Sequence, residues 1–405
     1  MTERAAEANP IHLDADKRRL TIITYSTAVI LYWMAQYLYV STLPSYVQSK
    51  THNLALVGVV LSMYGLWQAI IRVPLGIAAD WIGWRKPFIL VGLALAGVGA
   101  WTMGTTDTAN GLIVGRAISG LAAGAWVPLV VAFSSLFPPE ETVRASAMLT
   151  LLNSVGRIVA SAANGPLNNV GGYSLAFYAA TGIAMLSVVI ALSISEARRP
   201  PLRPSVSSLG RLFARKDVLV PSLLSALGQY ANFGISFGFL PILAKQLGGT
   251  DNTQSVLATL NVTMLALGSL AATAMANRIG ARRLLYASFL FWFLGAGLAA
   301  LARSIPVLIV SQVCLGLGLG TGYPTLMGLS IRDVANAERT IAMGLHQTLY
   351  AIGMFAGPAL SGVLANAVGI RPMFALTGLA CLTLGLLGLQ WLAESQVEPS
   401  SGRQV

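Results

Sequence analysis

Long apolar segments dominate this chain. Twelve such runs, each of about the 20 residues that a helix needs to cross the roughly 30 Å hydrocarbon layer of a membrane, occupy most of its 405 residues. Backbone polar groups find no partner in lipid, so the runs are predicted to be helices. The sequence predicts an all-α integral membrane protein with twelve transmembrane helices, at residues 20–43, 54–79, 87–104, 111–136, 144–167, 173–194, 218–243, 254–276, 284–302, 306–329, 340–365 and 373–393.

Positive charges favour one side of the predicted membrane. With the N-terminus in the cytoplasm, 19 Lys and Arg residues fall on the cytoplasmic side and four in the opposite loops. The positive-inside rule then places both termini in the cytoplasm, and we expect the protein in the cytoplasmic (inner) membrane. The excess of cytoplasmic Lys and Arg residues thus explains the net charge of +11, so the charge does not predict a nucleic-acid partner.

The first 19 residues mix acidic and basic side chains and have no cleavage site, so they do not resemble a cleaved signal peptide.

One segment divides the chain. Residues 195–217 interrupt the apolar pattern with prolines and six positive charges. We interpret this segment as a cytoplasmic linker whose second part either forms a short amphipathic helix on the membrane surface or remains a solvated tether. It joins two predicted six-helix bundles, residues 20–194 and 218–393. The predicted cytoplasmic tails are residues 1–19 and 394–405.

The two halves repeat each other. Asp80 and Asn277 occupy equivalent positions, 197 residues apart, in the loops after the second and eighth spans, and Leu43-Pro44 is matched by Leu240-Pro241. Because each half has six spans, both copies enter the membrane in the same direction. A site between two such halves can be exposed to one side and then to the other. Transport is therefore the leading hypothesis.

The loop after the second span carries a motif: Gly, three residues, Asp, two residues, Gly, then basic residues. It consists of Gly76, Asp80, Gly83, Arg85 and Lys86. With twelve spans and a basic central linker, it resembles the signature of the major facilitator superfamily, although tryptophans follow Asp80 and Gly83 where that signature often has Arg. The resemblance implies two pseudo-symmetric six-helix bundles and a loop that acts as a conformational latch in the outward-open state. We expect a small-molecule substrate, contact with membrane lipid, a monomer and no cofactor.

Three arginines, Arg72, Arg116 and Arg157, lie inside predicted spans, whereas no Asp or Glu falls in the middle of a span. A charged residue at mid-bilayer costs about 2.5–3.5 kcal/mol on insertion scales, so these side chains need water, backbone carbonyls or an anionic ligand. Arg72 is interpreted as structural or as part of the latch. Arg116 resembles the family's fourth-span Arg-Gly motif, which implies proton transfer in proton-coupled members. Arg157 is either an anion-binding residue or a structural one bonded to neighbouring carbonyls.

Other polar residues cluster near mid-depth. Amides and phenols there could orient a ligand, with Trp33, Trp67 and Trp126 adding aromatic surface; the alternative is helix packing. His346 is the proton-coupling candidate because its ordinary pKa lies near neutrality, or it forms a helix–helix hydrogen bond. Cysteine and histidine placement predicts no metal site. The predicted substrate-binding residues are Tyr32, Gln36, Tyr37, Gln68, Arg116, Arg157, Gln229, Tyr230, Asn232 and Asn261.

The favoured function is a secondary transporter that moves a small organic solute by alternating access, with efflux of a drug-like molecule or metabolite as the favoured direction. Gly357-Pro358 in the eleventh span resembles the Gly-Pro antiporter signature of drug-efflux members, which in that group belongs to the fifth span. An organic-anion exchanger or facilitator using the buried arginines is the alternative. An integral-membrane enzyme is disfavoured because the spans contain no Asp pair, Ser-Lys dyad or His-rich cluster.

Overall fold

A computed structural model describes residues 15–138, 141–194, 196, 207–335 and 338–397. Within these ranges every regular element is helical. The first half comprises α1 (Ala15–Tyr37), α2 (Leu43–Lys50), α3 (Leu54–Ile82), α4 (Lys86–Thr105), α5 (Ala109–Ala123), α6 (Trp126–Ser134) and α7 (Thr142–Leu192). The second comprises α8 (Ser207–Phe213), α9 (Lys216–Ala231), a π-helix (Asn232–Phe239), α10 (Leu240–Gln246), α11 (Asp251–Ile279), α12 (Ala281–Leu301), α13 (Ile305–Arg332), α14 (Arg339–Val368) and α15 (Ile370–Val397).

Helix α7 holds two membrane crossings. Its backbone leaves helical geometry at Gly171 and Gly172, and Gly172 has a φ of +66° that favours glycine. Before the bend, the side-chain oxygen of Asn164 accepts a hydrogen bond from the amide of Thr42 at 3.0 Å; after it, Ser187 donates to the carbonyl of Ala28 at 3.0 Å. The chain therefore reverses beside α1–α2, and α7 contains the fifth and sixth spans.

The described helices account for the twelve predicted spans. Ten helical stretches in the described part of the chain are long and apolar enough to cross a membrane. One of them is the doubled α7, and α1 with α2 adds the first span. The fourth span consists of α5 and α6, and the seventh of α9, the π-helix and α10.

The two halves meet along the α3–α14 seam and the α7–α11 seam. The α3–α14 seam is tight because glycines bring the backbones together. A methyl group on Gly58 would lie 2.3 Å from the carbonyl oxygen of Pro358, and one on Gly65 would lie 2.4 Å from the amide nitrogen of Phe355. Gly362 faces Gly58 in the same contact. The small residues of the eleventh span thus permit close contact between the halves.

The α7–α11 seam is joined at one end of the molecule. We call the end that bears α8 the linker end and the other the opposite end. At the opposite end, the amide of Gly165 donates to Ser255 Oγ at 2.6 Å, and Asn168 donates to Asp251 at 2.9 Å. Towards the linker end, Thr150 of α7 and Ser269 of α11 both line a cavity between the halves. The halves are therefore closed at the opposite end and separated along this seam at the linker end.

The described part of the linker contains the short helix α8, while residues 195 and 197–206 lie outside the described ranges. Leu212 of α8 is fully buried in a cluster with Val218 and Leu345, and Phe213 is exposed. Arg211 forms an ion pair with Glu338 at 2.8 Å. These contacts anchor the second part of the linker to the C-terminal half.

Candidate substrate cavity

A cavity of about 260 Å³ lies between the two halves. Helices of both halves supply its walls, so a movement of one half against the other changes its shape. The N-terminal half contributes Trp33, Tyr37, Tyr64, Gln68, Arg72, Trp126, Val130, Ser146, Leu149, Thr150, Asn153, Ser154 and Arg157, and the C-terminal half contributes Gln229, Leu265, Ser269, Leu319, Tyr323, Gln347, Tyr350 and Met354.

Aromatic pairs line the cavity from both sides. Trp33 of α1 and Trp126 of α6 meet edge to face, with ring centroids 5.2 Å apart. Tyr323 of α13 and Tyr350 of α14 form the corresponding pair in the other half, also with centroids 5.2 Å apart. Such geometry fixes large, rigid surfaces that suit a planar apolar group.

Arg157 brings a positive charge into this aromatic cavity. Its guanidinium carbon lies 4.4 Å from the ring centroid of Tyr37, in cation–π contact. Its Nε is buried without a hydrogen-bond partner, and so is the side-chain oxygen of Asn153, one turn earlier. None of the described lining residues is Asp or Glu. The Arg157 charge therefore has no carboxylate partner in the cavity.

Arg72 connects the two halves. One of its terminal nitrogens donates to the backbone carbonyl of Gln347, across the α3–α14 seam, at 3.4 Å. Arg72 is 7% exposed, and its Nε has no hydrogen-bond partner. Gln68 and Gln229, also on the cavity wall, are each 1% exposed and leave their side-chain oxygens unpartnered. The cavity thus offers a ligand both donors and acceptors of hydrogen bonds.

Four of the ten residues predicted to bind substrate line this cavity: Tyr37, Gln68, Arg157 and Gln229. Three others lie inside the N-terminal half. The hydroxyl of Tyr32 donates to a carbonyl of α5 at 3.0 Å, and the amide of Gln36 does the same at 3.2 Å. The guanidinium of Arg116 lies 4.7 Å from the ring centroid of Tyr64, which itself lines the cavity.

The remaining three lie in the C-terminal half, away from the cavity. Asn261 is fully buried and donates to the side-chain oxygen of Gln312 at 3.1 Å, which ties α11 to α13. Asn232 is buried in the π-helix, with its side-chain oxygen unpartnered. Tyr230 lines an apolar groove of about 550 Å³ together with Trp391, on another side of α9.

His346 is fully buried beside the cavity and bonded between helices. Its Nδ1 lies 3.1 Å from Ser222 Oγ on α9. Because that hydroxyl donates to the carbonyl of Val218 at 2.6 Å, its oxygen is left to accept the Nδ1 proton. The Nε2 atom then carries the lone pair, and it has no hydrogen-bond partner. The next residue, Gln347, lines the cavity.

The residues predicted as a latch follow the end of α3. Gly83 ends this helix with a φ of +67°, which favours glycine. A methyl group on Gly76 would meet a side-chain carbon of Val127 at 3.4 Å, an ordinary contact distance. The carboxylate of Asp80 accepts a hydrogen bond from Arg85 at 2.7 Å. In this state Asp80 is therefore paired within its own half.

Glu196, after the sixth span, completes this loop. Its carboxylate accepts hydrogen bonds from the backbone amides of Arg85 and Lys86, at 3.1 and 2.6 Å, at the start of α4. A carboxylate there satisfies free amides and complements the helix dipole. Lys86 also donates from its side chain to the carbonyl of Leu192 at 2.7 Å. Sequence reasoning missed this role because no local pattern relates Glu196 to a loop so distant in the chain.

The fold and the cavity between its two helical bundles define a membrane transporter. The sequence matches the model of the Major Facilitator Superfamily over residues 25–226 and 222–405. The chain belongs to this family, whose members are transporters and not enzymes. The predicted family and the twelve-helix fold are both confirmed.

Relatives and solved structures agree with this assignment. The multidrug resistance protein MdtL of Klebsiella pneumoniae is 25% identical over 381 residues, which cover 89% of this chain and 92% of the relative. The multidrug resistance protein MdtH of Aeromonas hydrophila is 26% identical over 359 residues, covering 86% and 88%. A bacterial homologue of the human lysosomal transporter Spinster, solved in an inward-facing, unoccupied conformation, shares the fold with a TM-score of 0.76 at 13% identity, covering 96% of this chain and 100% of that one.

Proposed function

We propose that this protein exports a small organic solute, drug-like or a metabolite, across the cytoplasmic membrane by alternating access. The observation that carries the proposal is a cavity walled by both halves, closed at the opposite end and lined towards the linker end by the exposed Thr150. The positive-inside rule assigns the linker end to the cytoplasm, so a cytoplasmic solute reaches the cavity in this state. The names of MdtL and MdtH as multidrug resistance proteins support export.

The loop of Gly76, Asp80, Gly83, Arg85 and Lys86 is the proposed latch for the alternate state. Asp80 lines a pocket of about 210 Å³ together with Ile341 and Gly344, near the N-terminal end of α14. Closure of the linker end would bring the Asp80 carboxylate towards that helix terminus, where the dipole favours a negative charge. The present Asp80–Arg85 pair would be the resting partner in the linker-end-open state.

His346 is the proposed proton carrier if export is coupled to a proton gradient. Its unpartnered Nε2 supports this role because the atom has a free lone pair one residue from the cavity wall. Substitution by Gln would keep a polar side chain there without a titratable ring.

Exchange of organic anions is the second candidate function. It is favoured by two guanidinium groups, those of Arg72 and Arg157, in a cavity without a described carboxylate. The two functions differ in coupling: export draws on an ion gradient, whereas exchange requires solute on both sides.

Reconstitution into liposomes tests the proposal. Vesicles with the linker end outward should accumulate labelled organic solutes from a panel of neutral, cationic and anionic compounds when a pH gradient is imposed, and lose them when an ionophore collapses it. A Gln68→Ala, Gln229→Ala double variant should reduce the rate at least tenfold. The lipid-facing control Thr383→Ala should retain it. If accumulation requires solute inside the vesicles but no pH gradient, the result would reject export and favour the exchange function.

A further inference from the structure

We propose that the cargo is a planar aromatic monoanion of one or two fused rings, bound with its acidic group at Arg157 and its ring between the aromatic pairs of the two halves. This inference rests on the proposed transport function and names the substrate class for the same cavity. It is carried by three independent features: the environment of Arg157, the arrangement of the rings and the size of the cavity.

The charge requirement comes from a comparison of the embedded arginines. Arg116 is 3% exposed and lies behind the ring of Tyr64, and Arg72 is bonded to a carbonyl of α14. Arg157 faces the cavity, stacks on Tyr37 and forms no hydrogen bond with any described residue. A guanidinium presents a planar fork of donors that matches a carboxylate. Of the two arginines that line the cavity, Arg157 is thus the one that no described residue engages in a hydrogen bond.

The cavity disfavours the opposite charge. A cationic ligand would find no carboxylate among the described lining residues and would lie near two guanidinium groups. Like charges repel more strongly in a partly desolvated site than in water. The site therefore selects against organic cations.

The ring requirement comes from the aromatic pairs. Trp33 and Trp126 belong to the N-terminal half, and Tyr323 and Tyr350 to the C-terminal half. A planar ring held between them contacts both halves at once, by the offset or edge-to-face geometry that aromatic groups prefer. A rotation of the halves that separated the two pairs would remove one of these contacts, so the ring would be bound most strongly in states that bring the pairs together.

The volume sets the size of the ring system. Sites for drug-sized ligands commonly have about 300–1,000 Å³, and this cavity has about 260 Å³. It therefore fits one or two fused rings better than a large multi-ring drug.

Calorimetric titration of the purified full chain in lipid nanodiscs tests the inference without a gradient. The probes are 2-naphthoate, the neutral 2-naphthalenemethanol and the non-aromatic cyclohexanecarboxylate. We expect 2-naphthoate to bind at least tenfold more tightly than either of the others, because each lacks one of the two recognised features. Equal or weaker binding of the carboxylate than of the alcohol would overturn the inference.

Variants assign the binding to Arg157. Arg157→Gln should weaken 2-naphthoate at least tenfold and leave 2-naphthalenemethanol within twofold, and Arg157→Lys should give an intermediate loss because the charge remains but the fork is removed. The matched control is Arg144→Gln, an exposed arginine on the same helix, which should bind as the wild type does. If Arg157→Gln fails to fold, two other measurements test the role of Arg157: the 2-naphthoate affinity of Arg157→Lys, and the affinities of the wild type for the three probes. Unchanged 2-naphthoate affinity in Arg157→Lys together with no preference for the anion in the wild type would refute the assignment.

Equilibrium binding and vesicle transport separate the two proposals. Tight 2-naphthoate binding without vesicle transport supports the substrate class and rejects the transport proposal. Transport of neutral or cationic solutes without 2-naphthoate binding rejects the substrate class and keeps the transport function.

Discussion

Three arginines of identical chemistry occupy three different environments in this protein. The sequence alone places Arg72, Arg116 and Arg157 inside predicted spans and shows that no Asp or Glu lies in the middle of a span. It does not reveal that a tyrosine ring separates Arg116 from the cavity while another supports Arg157. Those contacts depend on how α1, α3, α5 and α7 are rotated about their axes, and an apolar run in lipid carries little periodic signal to fix that rotation.

Glycines at the α3–α14 seam are expected to be sensitive to added volume. Gly58→Val would place methyl groups against the backbone of α14 and should cost about 1–3 kcal/mol of stability, as overpacking does elsewhere. Gly182→Ala is the matched control because nothing lies within 4 Å of its added methyl; it should be neutral or stabilising by up to about 1 kcal/mol. Thermal unfolding in detergent compares the two, and equal midpoints would contradict the packing argument.

Asp217 should make the linker end sensitive to acid. A hydrogen bond from Arg215 lowers the pKa of the Asp217 carboxyl below its ordinary value of 3.8, and Arg215 also donates to the carbonyl of Asp333 at 2.8 Å. Because the folded pKa is the lower one, this stabilisation is fully present above pH 3.8 and is lost as the pH falls through the folded value. When the pH is lowered from 5 to 2.5, the temperature midpoint of unfolding should therefore fall less in Asp217→Asn than in the wild type. An equal fall of the midpoint in both proteins would show that Asp217 does not contribute to the acid sensitivity.

At the scale of single elements, prolines explain breaks that the apolar pattern hides. The fourth span was predicted as one run, yet α5 ends at Ala123 and α6 begins at Trp126. Pro128 has no amide proton for the carbonyl of Gly124, and the amide of Val127 bonds to that carbonyl instead, at 3.2 Å. The seventh span shows a similar interruption, with the π-helix ahead of Pro241.

The contact between α7 and α11 is expected to act as the gate of the opposite end. Asp251 begins α11 and accepts hydrogen bonds from Asn168 at 2.9 Å and from Tyr173 at 3.4 Å. Asp251→Ala removes both and should favour separation of the halves there. Spin labels at the exposed positions Val170 and Gln246, with the native cysteines replaced, should report a shift towards longer distances.

Asp107 provides the control for this gate. It lies at the same end but pairs with Lys50 within the N-terminal half, at 2.7 Å. Asp107→Ala should leave the distance between the two labels unchanged. A similar shift in both variants, or none in Asp251→Ala, would exclude Asp251 as a gate residue.

At the scale of the whole molecule, the sequence predicted the number of spans and the duplication, because each depends on long apolar runs or on repeated motifs. The cavity was predicted less completely. Tyr37, Gln68, Arg157 and Gln229 line it, whereas Tyr32 and Asn261 form hydrogen bonds between helices of one half. A polar side chain at mid-depth serves either purpose, and only the neighbouring helix decides which.

The side of the membrane on which the cavity opens can be determined with thiol reagents. In a cysteine-free background, Thr150→Cys should react with a membrane-impermeant reagent in inside-out vesicles and be protected in right-side-out vesicles, because the exposed Thr150 lines the cavity towards the linker end. Ser45→Cys, at the closed end where Ser45 donates to Gln254 at 2.8 Å, should be protected in both. Reaction of Thr150→Cys only from outside would reverse the proposed orientation.

The glycine contacts along α3 and α14 have a mechanical consequence. Backbones held this closely at Gly58 and Gly65 are expected to rotate against each other more easily than they separate. We therefore expect this contact to act as a pivot, with the far side of the bundle as the lever arm. A few degrees of turn at the pivot then move the linker-end parts of α7 and α11 much farther than the pivot itself. Substitutions at the pivot should consequently change the turnover rate of transport more than the affinity for the solute.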